Sequence, residues 1–129
     1  MAKEVIVIDS CRDLKVWQAA MELAEDSYRL TRGFPKEEMF GMVSQIRRAA
    51  VSIAANIAEG HGRENTGSFI QFLRISQGSL KELETHLILS TRVKLTHMDV
   101  IEMSLQRCES LGKMLRSLIR SLQQRNETK

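Results

Sequence analysis

Apolar residues recur at steps of three and four through four long stretches of the chain, and short segments rich in Gly, Pro, Asn and Thr separate them. That period belongs to amphipathic helices rather than strands. The first stretch predicts a helix from Arg12 or Asp13 to Arg32, with Leu14, Trp17, Met21, Ala24 and Tyr28 as its buried stripe. Ser10 with Asp13 resembles a capping pair, and Gly33 supplies the stop. Pro35 suits the first position of a second helix, and Glu37 and Glu38 favour a helix start. That helix runs to Ala58 or Glu59, where Gly60 and Gly62 end it. Met39, Val43, Ile46, Ala50, Ile53 and Ile57 alternate steps of four and three along it, the seam of a bundle.

After a loop over Gly60–Asn65, the third helix extends from Thr66 to about Leu95 on Phe69, Leu73, Ser76, Leu80, Leu83 and Leu87. Gly78 lies inside it. A mid-helix Gly costs about 1 kcal/mol against Ala, and close approach of another backbone would offset that. The fourth helix opens on a cap, Thr96 with Asp99, and carries Ile101, Leu105, Cys108, Leu111, Leu115, Leu118 and Leu122. From Gln123 the chain is polar and is expected to fray. Four helices with short connections predict an all-α, antiparallel up-down-up-down four-helix bundle. The bundle spans residues 12–125, with an N-terminal arm over 1–11 and a tail over 126–129. The arm carries Val5-Ile6-Val7-Ile8, an extended segment, a brief strand or a strip laid across an apolar groove. A single strand needs a partner.

The second helix has more than one structured face. Gln45, Arg48, Ser52, Asn56 and Glu59 form a polar stripe, which Arg63 joins if the helix continues. The arc opposite the seam holds Val51, Ala54, Ala55 and Ala58, where a solvent face normally carries Lys, Glu and Gln. Phe69, Ile70, Phe72, Leu73 and Ile75 span too wide an arc of the third helix for one seam. Homo-oligomerisation is the simplest account, with Val51, Ser52, Ala54, Ala55, Asn56, Ala58 and Glu59 as candidate interface. The N-terminal arm is the other possible cover. A bulky core with a few exposed alanines is the bland reading.

Composition narrows the classes further. The 129 residues fit one domain, 43% are hydrophobic and only 5% aromatic, which favours packed helices over disorder or sheet. Cys11 and Cys108 form no C-x-x-C pair, and Cys108 falls on a core stripe. No run is long enough for a signal-peptide core or a membrane span, so a cytoplasmic protein is expected.

Chemistry-bearing constellations are weak. Glu59 or His61 as a general base with Arg63 on an anion is the enzyme reading; hydrogen bonding across a helix junction is the favoured one. No nucleophile stands with a matched base. His61, His86 and His97 lack metal-ligand spacing, and Gly60-x-Gly62 is not a phosphate loop. No enzyme, metal or cofactor is expected. The net charge of +3 is modest, but Arg47, Arg48, Arg63 and Arg74 accompany the second and third helices. Lys113, Arg116 and Arg120 ride the fourth, with Arg125 beyond them. Repeated around an oligomer, these are candidate phosphate contacts. For one subunit, a solvated face balancing nearby acids is the simpler account.

Three ordered motifs carry a family resemblance. The first is Asp13-Leu14-x-Val16-Trp17-Gln18-x-Ala20 followed by Phe34-Pro35-x-x-Glu38-x-Phe40-Gly41. The second and most specific is Gln45-x-x-Arg48-Ala49-Ala50-Val51-Ser52-Ile53-x-x-Asn56-Ile57-Ala58-Glu59-Gly60. The third is Phe69-x-x-Phe72-Leu73-x-Ile75-x-x-Gly78-Ser79-x-x-Glu82-Leu83-Glu84. Over residues 12–120 the chain resembles the four-helix bundle proteins encoded in intervening sequences of bacterial 23S ribosomal RNA genes, also called S23 ribosomal proteins. Cys11 stands where that family commonly has Phe, and Met42 where it has Leu; neither change threatens the fold. The resemblance implies no enzymatic activity. It extends to accessory variability determinants of diversity-generating retroelements, which form homopentamers whose positive surface engages nucleic acid and a reverse transcriptase. The expected partners are therefore further copies of the chain, as a pentamer, together with RNA or DNA or a reverse transcriptase, and no membrane. A protein-interaction scaffold without a nucleic-acid role is the alternative.

Overall fold

A computed structural model describes residues 11–127, and within them every regular element is helical. A short 3-10 turn at Cys11–Asp13 leads into α1 (Lys15–Thr31). A second 3-10 turn at Lys36–Glu38 precedes α2 (Met42–Gly62), followed by α3 (Thr66–Arg92) and α4 (Met98–Glu127). Helix α2 packs on α1 and α3, and α4 closes the bundle against both α1 and α3. The four helices form the expected antiparallel four-helix bundle.

Each helix turns its apolar stripe to one shared core. Leu23, Ile46, Ile53, Ile57, Leu73, Leu83, Leu87, Ile101, Leu111 and Leu115 are its largest fully buried side chains. The predicted stripes of α2, α3 and α4 largely occupy it. Met39 does not: it lies before α2 and is 49% exposed. Leu105 and Leu118 are half-buried, while Ser104 and Ile119 take the inner positions.

Helix α1 departs further. Its buried positions are Val16, Ala20, Leu23, Ala24, Ser27 and Thr31, while Trp17 is half-buried and Met21 and Tyr28 are exposed. The real seam carries two hydroxyls because a helix can satisfy them itself. Ser27 Oγ donates to the Leu23 carbonyl at 2.9 Å and Thr31 Oγ1 to the Ser27 carbonyl at 2.7 Å.

The helix ends also differ from expectation. Helix α1 begins at Lys15 with Leu14 as N-cap; Ser10, and with it the proposed Ser10–Asp13 cap, lies outside the described residues. Pro35 precedes the 3-10 turn rather than α2. Glu38 instead caps α2, accepting from the Met42 N–H at 3.0 Å. Gly60 and Gly62 do not stop α2; both are helical, and Arg63 is the C-cap. The Asn65 side chain caps α3 by accepting from the Ser68 N–H at 2.8 Å. Helix α3 ends at Arg92, short of Leu95, and α4 opens after His97 rather than after a Thr96 cap. The polar stretch from Gln123 stays helical through Glu127.

Two glycines exchange roles. A Cβ on Gly60 would lie 2.5 Å from Phe72 Cβ, so α3 approaches α2 closely at Gly60. Gly78, where a close neighbour was expected, has nothing within 4 Å of such a Cβ.

Candidate nucleic-acid and subunit interfaces

The two α2 arginines and Arg63, its C-cap, are engaged within the chain. Arg47 is half-buried; its Nε donates to Thr31 Oγ1 at 3.0 Å and its guanidinium lies 4.5 Å over the Tyr28 ring. Arg48 is exposed and donates to Gln45 Oε1 at 2.7 Å. Arg63 pairs with Glu59 at 2.9 Å and covers the Phe72 ring at 5.0 Å.

Arg74, Lys113, Arg116 and Arg120 are different. All four are exposed, and none has an ion pair among the described residues. Lys113 and Arg116 line a groove between α3 and α4 with Gln77, Lys81, Glu84 and Cys108. The level is fixed by Leu80, whose Cδ2 lies 3.6 Å from where a Gly112 Cβ would be. Because α3 and α4 are antiparallel, moving from Leu80 back to Arg74 corresponds to moving forward along α4, past Arg116 toward Arg120. Arg74 also shares the outer α3 edge of Lys81, seven residues on. The four cations therefore follow one side of the bundle, away from the α2 arginines. Lys81 is already matched by Glu84 at 3.1 Å.

The candidate subunit-contact residues divide by direction. Ser52 and Asn56 turn toward α3. Ser52 and Ser79 hydroxyls meet at 2.9 Å, and Asn56 Nδ2 donates to the Ser52 carbonyl and hydroxyl at 2.8 and 3.0 Å. Ala54 and Ala58 turn toward α1. There, with Val51 and Ala55 and the α1 side chains Trp17, Met21 and Tyr28, they line an apolar groove of about 600 Å³. Glu25, Arg29 and Arg32 stand along its rim. The outermost strip of α2 is Arg48, Val51, Ala55 and Glu59, all exposed and spaced i, i+3, i+7 and i+11.

The bundle end formed by the α1–α2 turn, the end of α3 and the start of α4 is unusually apolar outside. Phe40 is 96% exposed, with Met39, Val93, Met98 and Met103 about half exposed or more. The motif reading did not single out Phe40 as surface. A turn residue beside Gly41 with no periodic partner was the available signal.

Glu59 and His61 do not form an acid–base pair. They are two residues apart, about 200° of helical turn. The Glu59 carboxylate faces Arg63, while the His61 ring meets Phe69 edge-on with centroids 5.7 Å apart. Burial, and then Glu84, push the Cys108 thiol up to about 12 from 9.0, so it stays protonated at neutral pH. Among the described residues, no group of three or more His, Cys, Asp or Glu is placed to hold a metal ion, and no helix is long and apolar enough to cross a membrane.

A family model described as 23S rRNA-intervening sequence protein matches residues 12–117. One solved structure, a protein of unknown function from the S23 ribosomal protein family of Bacteroides thetaiotaomicron VPI-5482, is 28% identical with a TM-score of 0.75. The match covers 81% of this chain and 95% of that one. No curated protein matches the chain.

Proposed function

The chain belongs to the 23S rRNA-intervening sequence protein family, and from that premise we propose that it is a non-enzymatic homo-oligomer that binds RNA. The observation that carries the proposal is the row of Arg74, Lys113, Arg116 and Arg120, exposed and unmatched along one side of the bundle. One such row on a subunit of net charge +3 is a weak phosphate ligand. Around a homopentamer, the ring the resemblance implies, five rows act together and raise avidity without new contacts. The outer α2 strip supports self-association. Val51 and Ala55 offer a small apolar surface between Arg48 and Glu59, which suits close approach of a neighbour's helix.

The test is binding to a structured RNA across a salt series. Affinity should fall steeply with salt, and an Arg116→Glu/Arg120→Glu variant should bind weakly and lose much of the slope. Salt-independent binding, or none at low salt, overturns the proposal. Val51→Lys should lower the mass measured by sedimentation; a wild-type monomer at micromolar concentration overturns the oligomer.

The apolar end favours one second reading, a scaffold that docks a protein such as a reverse transcriptase through Phe40, Met39, Met98 and Met103. Capture of such a partner that survives nuclease and is lost in Phe40→Ser would select it.

A further inference from the structure

We propose that the α3–α4 side of the bundle takes double-helical RNA, with its cations on the phosphates and Gln77 on a ribose 2′-hydroxyl; this rests on the RNA-binding reading and names the form of the RNA. The cations occupy two lines rather than one. Lys113, Arg116 and Arg120 lie on α4 and Arg74 on α3, and adjacent packed helices stand about 8–10 Å apart. Leu80 meets Gly112, so in antiparallel register Arg74 stands level with Leu118, between Arg116 and Arg120. At about 1.5 Å per residue, Arg116 and Arg120 are about 6 Å apart along α4. The three arginines mark out a triangle whose corners are held by two packed helices.

Gly112 lowers one corner into the groove between those helices. Arg116 Nη1 lies 3.6 Å from where a Gly112 Cβ would be, as close as Leu80 Cδ2, so the guanidinium reaches back over the glycine. Gln77 lines the same groove, half-buried, one turn of α3 from Leu80 toward Arg74. Its amide has no hydrogen-bond partner among the described residues. Glu84 and Glu109 line the opposite end, which leaves the Gln77 end as the one that suits an anion.

This arrangement favours a double helix over a single strand. Proteins that hold single strands combine a basic groove with aromatic side chains on which bases stack. The six aromatic residues of this chain serve other places: Trp17 and Tyr28 the α1–α2 groove, Phe34 the core, Phe40 the apolar end, and Phe69 and Phe72 the contact at Gly60. Binding on the cation side therefore draws on phosphates. A duplex presents them at fixed spacing to a fixed triangle, whereas a flexible strand must first be ordered. Counterion release adds to the difference, about 0.9 per phosphate contact for a double helix against about 0.7 for a single strand. Gln77 selects between duplexes. The wide, shallow minor groove of double-stranded RNA displays 2′-hydroxyls between its two backbones, and each hydroxyl both donates and accepts. A glutamine amide does the same, and Gln77 sits between the α3 and α4 cations.

Fluorescence anisotropy of the full chain with three probes of one sequence tests this: an RNA duplex of about 20 base pairs, one of its strands alone, and the corresponding DNA duplex. At about 0.15 M salt the RNA duplex should bind more tightly than the single strand, by about fourfold for four contacts from counterion release alone. Gln77→Ala, confirmed helical by circular dichroism, should weaken binding to the RNA duplex about 2- to 10-fold and leave the DNA duplex unchanged. A single strand bound as tightly as the RNA duplex overturns the proposal. So does a Gln77→Ala loss that is equal on RNA and DNA, or no loss on either. Failure of the RNA-binding reading itself reads differently: none of the three probes then binds even at low salt, and both fall together.

Discussion

Helix α2 has small residues on two sides, and the two sides do opposite things. Toward α3, Gly60 admits Phe72, the Ser76 hydroxyl donates to the Ile53 carbonyl at 2.9 Å, and Ser52 meets Ser79. The small residues there bring two backbones together. Toward α1, Ala54, Ala55 and Ala58 bring nothing closer; they leave the groove. A small side chain thus marks either close approach or vacancy, and what separates the cases is whether the facing helix offers bulk at the same level. Phe69 and Phe72 stand beside Gly60. On the other side, Trp17, Met21 and Tyr28 line the α1 wall of the groove, with Arg47 stacked on Tyr28.

The sharpest way to break the tight side is Gly60→Ala. Its Cβ would meet Phe72 Cβ at 2.5 Å, an atom fixed to the α3 backbone, so α3 itself must shift. Overpacking of this kind costs typically about 1–3 kcal/mol, and the upper end is expected because no flexible side-chain tip can yield. Urea denaturation measures it; a variant as stable as wild type would mean that α3 is not held close at this point.

Next in size is the buried hydroxyl of the same seam. Ser76→Ala removes the donor to the Ile53 carbonyl without creating bulk, and a net loss of about 1 kcal/mol is expected in the same assay. Gly78→Ala provides the contrast. With nothing within 4 Å, the added methyl should raise stability by about 0.8–1 kcal/mol through helix propensity alone. The two glycines of the same helix pair then move stability in opposite directions, and a loss at Gly78 would show that the close approach extends further along α3.

How much of this was legible follows the same physics. The α2 seam of Val43, Ile46, Ala50, Ile53 and Ile57 could be read directly because its apolar residues are flanked by polar or small ones at every turn. In α1 the bulkiest apolar residues, Trp17, Met21 and Tyr28, mimic a seam while the true one runs through Ala20, Ser27 and Thr31. Size misleads there because self-satisfied hydroxyls are cheap to bury and large rings need room that a tight helix crossing lacks. Gly60 looked like a stop because a helix-ending glycine and a contact glycine are the same letter; only the facing Phe72 tells them apart. The partners of the charged candidates were hidden for a related reason. Arg47, Arg48 and Arg63 have partners in Thr31, Gln45 and Glu59, and the Thr31 partner is 16 residues away in sequence, beyond any local pattern.

The smallest effect is expected on the open side, and it tests the comparison most finely. Ala58 lines the groove and is half-buried, so Ala58→Leu extends into space rather than into a neighbour. Its effect on stability should stay within about 0.5 kcal/mol in the same urea assay, as for an ordinary surface change. A loss of about 1–3 kcal/mol, the range of overpacking, would mean that α1 stands as close to Ala58 as Phe72 stands to Gly60, and the contrast between the two sides of α2 would vanish.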